Sequence, residues 1–161
     1  MAKEVKTNAM RILEKNKVAY EGYTYECTEF TDGGQIADML NLPHEKVYKT
    51  LVTIGKSKNY YVFVLNIDDE LDMKKAAKAA GEKSLEMLPL KELTPVTGYV
   101  RGGCTSIGMK KQFPTIISDT ILTLTKVVVS GGRLGSQLEL VPQDLIKVTR
   151  AKVENIIVEK Q

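Results

Sequence analysis

Cysteine and histidine are scarce: Cys27, Cys104 and His44 are the whole supply in 161 residues. Two cysteines cannot build a disulfide framework, and with one histidine they fall short of a four-ligand zinc site. The composition therefore argues against a zinc enzyme, and no metal or cofactor is expected. No run approaches the roughly 18 apolar residues needed to cross a bilayer. The opening Met-Ala-Lys-Glu-Val-Lys-Thr carries no apolar stretch behind its charges, so a cytoplasmic protein without membrane contact is expected. A large excess of one charge is missing too. Lys and Arg number 23 against 20 Asp and Glu, for a net charge of +3. That suits a polyanionic partner but falls well short of a protein that coats nucleic acid. With no linker, repeat or low-complexity tract, residues 1–161 read as a single domain, and 43% hydrophobic residues suffice for its own core.

Helical and strand-like patterns alternate along the chain. Thr7 can cap a short amphipathic helix through Ala9, Met10, Ile12 and Leu13 that ends near Asn16. Tyr20 to Thr28 reads as a strand, and Thr31-Asp32-Gly33-Gly34 opens a second helix closed by Pro43. Val47 to Ile54 and Tyr60 to Asn66 are β-rich runs joined by a Gly-Lys-Ser-Lys-Asn loop, a hairpin signature. The second run is apolar on both faces and should be central. Asp72 caps MKKAAKAAG, whose alanines favour helix and whose Gly81 suits a left-handed end. A strand at Leu85 to Leu88, a helical turn from Pro89 to Leu93 and a glycine loop at 102–108 come next. The spacing then predicts strands at Thr115 to Ile117, Ile121 to Leu124, Lys126 to Ser130 and Gln137 to Val141. A helix started by Pro142 and a strand at Asn155 to Val158 complete the chain. Several strand pairs lie only a few residues apart, which forces antiparallel neighbours. The fold class expected is α+β, with a mixed, largely antiparallel twisted sheet curling toward a partial barrel and flanked by helices.

Three places could carry chemistry. In VYKTLVTI, period-2 alternation sets Lys49 beside apolar side chains whichever face packs inward. A charged ammonium there is unfavourable unless an anion or several acceptors meet it, so Lys49 is an anion-binding or catalytic candidate; the bland alternative is an edge lysine reaching water. GYVRGGCTSIGMKK offers Gly102, Gly103 and Gly108, whose backbone freedom could aim N–H groups at a phosphate or oxyanion. It is not a nucleotide-binding P-loop: Met109 stands where the lysine belongs, and Lys110 is followed by Lys111 instead of Ser or Thr. Nor is it a nucleophile elbow, because Ser106 is three residues past Gly103. The third place is Ser130-Gly131-Gly132, straight after an apolar strand, which alone reads as a hairpin loop.

Weaker signals read as structural. His44 follows Pro43 in what looks like a surface turn. Cys27 and Cys104 suit small buried hydrophobes better than nucleophiles. Asp68, Asp69, Glu70 and Asp72 precede a helix and favour its positive end without a metal. Lys74 and Lys78 make a short basic stripe that could meet phosphates, although a solvated helix face is the default.

In combination, VYKTL, MKKAAKAAG, GYVRGGCTSIGMKK, VVVSGG and LELVPQDL resemble the YbaK/EbsC family of aminoacyl-tRNA editing domains, over about residues 5 to 159. Freestanding Cys-tRNA(Pro) deacylases are the nearest branch. The resemblance implies hydrolysis of the ester joining a wrong amino acid to tRNA(Pro), most of all cysteine. Alanine or another small residue, or a non-catalytic module binding the tRNA end or a synthetase, is the alternative. It implies that Lys49 is indispensable, and that Thr50, Gly102, Gly103, Ser130, Gly131, Gly132, Tyr25 and Phe30 bind substrate. The partner implied is the 3′ end of aminoacyl-tRNA(Pro); because a net charge of +3 allows few phosphate contacts, a transient complex with prolyl-tRNA synthetase is expected as well. The family's glycine loop usually continues Ile-Ser-Pro, whereas this chain has Cys104-Thr105-Ser106.

Overall fold

The computed structural model describes residues 6–27, 29 and 31–159. Two runs of sequence set the frame. Tyr48–Gly55 (β2) and Tyr60–Asn66 (β3) pair antiparallel across the loop at 55–59, where Lys58 takes a positive φ of 75°. β3 is buried along nearly its whole length, as an all-apolar strand must be. On one side, Phe63 and Leu65 meet Ala76, Ala77 and Ala79 of the helix Met73–Ala80 (α3). On the other, Val64 joins a cluster with Ala9, Met10 and Leu13 of Asn8–Lys15 (α1) and Leu145 of Pro142–Thr149 (α5). Phe63 is fully buried, and removing such a side chain from water is worth about 1.5–3 kcal/mol. The caps work as the sequence suggests. Thr7 accepts from the Met10 N–H, Asp72 accepts from the N–H groups of Lys74 and Lys75, and Gly81 closes α3 at φ +75°.

The remaining elements are Tyr20–Thr24 (β1), Gly33–Met39 (α2), Leu85–Met87 (β4), Leu90–Thr97 (α4), Thr115–Ser118 (β5), Val127–Ser130 (β6), Ser136–Leu140 (β7) and Lys152–Glu154 (β8). The strands form two sheets. β1, β7 and β6 make an antiparallel one; β4, β2, β3, β5 and β8 make a mixed one in which β3–β5 and β5–β8 are parallel. A parallel bridge between Val47 and Val128 joins the two at the start of β2. The α+β class with a mixed sheet is the one expected, and the described residues form no closed barrel.

Four local expectations need correction. Ile121 to Leu124 is not a strand: Asp119–Thr123 is a 3-10 turn, because the Ser118 hydroxyl accepts from the Thr120 N–H and, of the turn's own residues, only Ile121 is buried while Leu122 is 57% exposed. The last strand is β8, three residues earlier than expected; Ile156 packs under α3 instead, and Ile157 makes one bridge to Leu71. The first strand ends at Thr24; beyond it the Tyr25 N–H still donates to the carbonyl of Gly135, whose φ of +81° is not that of a strand residue. The turn from Pro89 continues as α4 through Pro95 to Gly98, the lost N–H falling on an exposed face.

Candidate active site

β4 pairs with β2 only at Thr53, Ile54 and Gly55. One step further the Leu88 N–H still donates to the Val52 carbonyl, so it is from Tyr48 to Leu51 that the β2 edge faces a gap between the two sheets, and a cavity of about 550 Å³ fills it. Lys49, Thr50, Gly102 and Ser130 all line this cavity, brought from three separate stretches of chain. Its other walls come from the turn at Thr31–Gly34, from Ile67 and Asp68, and from Met87, Leu88, Leu90 and Leu93. Polar groups are thus mixed with apolar ones, and Met87, Leu88, Leu90 and Leu93 form an apolar end, a lining suited to a ligand with a charged part and a small apolar side chain.

Lys49 is half-buried, and its ammonium donates to the main-chain carbonyl of Asp69 at 2.8 Å and, at 3.5 Å, to that of Ile67. Burial pushes its pKa below the ordinary lysine value, against the pull of the nearby carboxylates of Asp69, Asp68 and Glu70. The carbonyl-bearing loop is itself held in shape. Asn66 donates to the carbonyls of His44 (2.7 Å) and Val47 (3.3 Å) and accepts from the Asp68 N–H (2.9 Å). His44 joins it from the outside, its ring nitrogens 2.7 Å from Asp38 and 3.1 Å from Asp68.

The two double-glycine loops pack on each other. A β-carbon on Gly103 would stand 2.8 Å from Arg133 Cα and 3.0 Å from the Leu134 nitrogen. Gly102 (φ +85°) and Gly132 (φ +99°) need the left-handed region, whereas Gly131 is kept small by the Ser136 hydroxyl. Three N–H groups expected to face a ligand are used inside the loops: Gly103 donates to the Val100 carbonyl, Gly131 to that of Ser136 and Gly132 to the Ser130 hydroxyl. These glycines shape the wall instead of supplying donors, and Gly103, Gly131 and Gly132 are not on the cavity surface. Tyr25 stands one step behind it, accepting at 3.2 Å from the carboxamide of Gln137, a cavity residue. Phe30 lies outside the described residues.

Arg101 and Gln137 on the polar wall, the Ile67–Asp69 backbone and the apolar end were not singled out by sequence. Arg101 next to Gly102 was the one available signal. Cys104 sits in the cavity wall, where burial pushes its thiol up to about 12 and keeps it protonated. Among the described residues no three His, Cys, Asp or Glu side chains gather as metal ligands, and no helix is long and apolar enough to cross a membrane.

A family model described as aminoacyl-tRNA editing domain matches residues 31–148. A protein of Enterococcus faecalis (strain ATCC 700802 / V583), EbsC, provisionally named a Cys-tRNA(Pro)/Cys-tRNA(Cys) deacylase, is 42% identical over 152 residues, 94% of this chain and 93% of that one. Among solved structures, the hypothetical protein APE2540 superposes with a TM-score of 0.86 at 20% identity, covering 94% of this chain and 100% of that one. A protein provisionally named a trans-editing enzyme for prolyl tRNA synthetase superposes at 0.82 and 21% identity, covering 97% of this chain and 100% of that one.

Proposed function

The chain belongs to the YbaK/EbsC family of aminoacyl-tRNA editing domains, and from that premise we propose that it deacylates mischarged tRNA(Pro), with Cys-tRNA(Pro) the foremost substrate. The observation that carries this reading is one cavity lined by Lys49, Thr50, Gly102 and Ser130.

An aminoacyl ester is already activated, so its cleavage needs orientation and charge stabilisation more than a strong protein nucleophile. In this reading the Lys49 ammonium holds phosphate or ribose oxygens of the terminal adenosine. Ser130, whose hydroxyl accepts from Gly132 and keeps its own proton to donate, and the backbone at Gly102 meet the ester carbonyl. The amino-acid side chain enters the apolar end, against Leu88, Leu93 and Cys104. A cysteinyl substrate can then react by itself. Its sulfur attacks its own carbonyl carbon, the bond to the ribose oxygen breaks, and that oxygen takes the thiol proton, leaving a cyclic thioester and free tRNA.

Selection of tRNA(Pro) is borrowed from prolyl-tRNA synthetase in a transient complex, since a net charge of +3 permits few phosphate contacts. A deacylation panel with Cys-, Ala- and Ser-charged tRNA(Pro), wild type beside Lys49→Ala, tests the reading. Release of cysteine by the wild type alone is expected. Cysteine release at an unchanged rate by folded Lys49→Ala overturns the role of Lys49, preferential release of alanine moves the specificity, and no release from any substrate leaves a binding module.

A further inference from the structure

The charges around the cavity are sorted by side. From Leu93 to Ser118 and again from Thr120 to Leu138 the chain contains no Asp or Glu, yet these stretches hold both glycine loops with Arg101, Lys110, Lys111 and Arg133, all exposed. Arg101 lines the cavity, and the packing of Gly103 on the Arg133 backbone places the loop of Arg133 directly beside that of Arg101. Behind Tyr48 lies a second hollow of about 570 Å³, which shares only Tyr48 and Asp68 with the first. Among the described residues its wall bears Glu45, Asp68, Asp69, Asp119 and Glu159 and no lysine or arginine. A polyanion approaching Lys49 thus meets guanidinium groups on one side and repulsion on the other.

Resting on the deacylase reading, we infer that the RNA crosses the glycine loops to reach the cavity, with Arg101 and Arg133 holding backbone phosphates next to the bound 3′ end. Arginine suits this task because its planar fork can bind two phosphate oxygens at once. The basic stripe of Lys74 and Lys78 lies on α3, which packs against Phe63, Leu65 and Leu85 of the five-stranded sheet and contributes no residue to the cavity wall; it takes no part.

The test is binding of unacylated tRNA(Pro) across a salt series, read as the slope of log K against log salt. Each lost phosphate contact lowers the slope by about 0.7–0.9. Arg133→Ala should lower it by about that much and Arg101→Ala/Arg133→Ala by about twice as much, while Arg133→Lys keeps it. Lys74→Glu/Lys78→Glu should leave both slope and affinity in place. An unchanged slope in the double variant, or equal loss in the α3 variant, overturns the inference. Hydrolysis of an aminoacyl ester of adenosine, which lacks upstream phosphates, tests the deacylase reading separately. A wild type inactive on that ester and on charged tRNA, but with the slope change intact, defeats the reading and supports the RNA face.

Discussion

The ammonium of Lys49 donates to the carbonyl of Asp69, 20 residues away, at 2.8 Å. A mid-strand lysine is thus held by the peptide backbone of a loop, and burial works against its charge.

Lys49→Met is therefore expected to separate activity from stability. Turnover should fall by about a hundredfold or more, the scale of losing one positioned charge-stabilising donor. Folding stability at neutral pH should stay level or rise. The sign follows from linkage: a folded-state pKa below the ordinary 10.5 means the folded chain binds this proton less tightly than the unfolded one. The wild type should gain stability as pH rises through that lowered pKa toward 10.5, and Lys49→Met should lack the gain. Denaturant titrations from pH 8 to 10.5 measure it.

Two glycines should respond to alanine in opposite directions. Gly103 has no positive φ, but a β-carbon there meets the Arg133 backbone at 2.8 Å, so Gly103→Ala should cost about 1–3 kcal/mol and lower activity. Gly22, inside β1, has nothing within 4 Å of the same atom. Gly22→Ala should stabilise by about 0.5–1 kcal/mol. Urea unfolding of the two proteins side by side checks the contrast.

His44 should behave as a pH-dependent clasp. Hydrogen bonds first to Asp38 and then to Asp68 raise its pKa above 6.5. A raised folded-state pKa contributes stability that is complete below 6.5 and disappears as pH rises through the folded value. The stability difference between wild type and His44→Ala should accordingly be larger at pH 5.5 than at pH 8.5. A difference independent of pH would show that the imidazolium contributes nothing.

Cys104 should resist alkylation in the native protein. Its thiol, pushed up to about 12 by burial, supplies almost no thiolate at pH 8. Iodoacetamide followed by peptide mass mapping should modify Cys104 only after denaturation. Rapid labelling of Cys104 in the folded state would contradict the burial.

Side-chain caps and alternation were legible from the residues because each acts within a few positions. Thr7, Asp72 and Gly81 bound their helices where local chemistry puts them, and the all-apolar run Tyr60–Asn66 became the central strand. Ile121 to Leu124 misled because four apolar or β-branched residues read as extended, while the Ser118 hydroxyl and one inward isoleucine select a 3-10 turn. At the site, Lys49 could be singled out because a charge in an apolar strand is costly anywhere. Its partners could not: they are main-chain carbonyls, which every residue has.

What the sequence determined by itself was the set of local elements, the permissive glycines and a lysine in need of acceptors, since all follow from propensity, pattern and solvation. Only the tertiary structure decided that β4 leaves the β2 edge open from 48 to 51, that two loops some thirty residues apart pack glycine against arginine, and that positive and negative surfaces part on either side of Tyr48. Those outcomes depend on contacts between distant segments, whose geometry is fixed by packing of the whole core and is carried by no single stretch of residues.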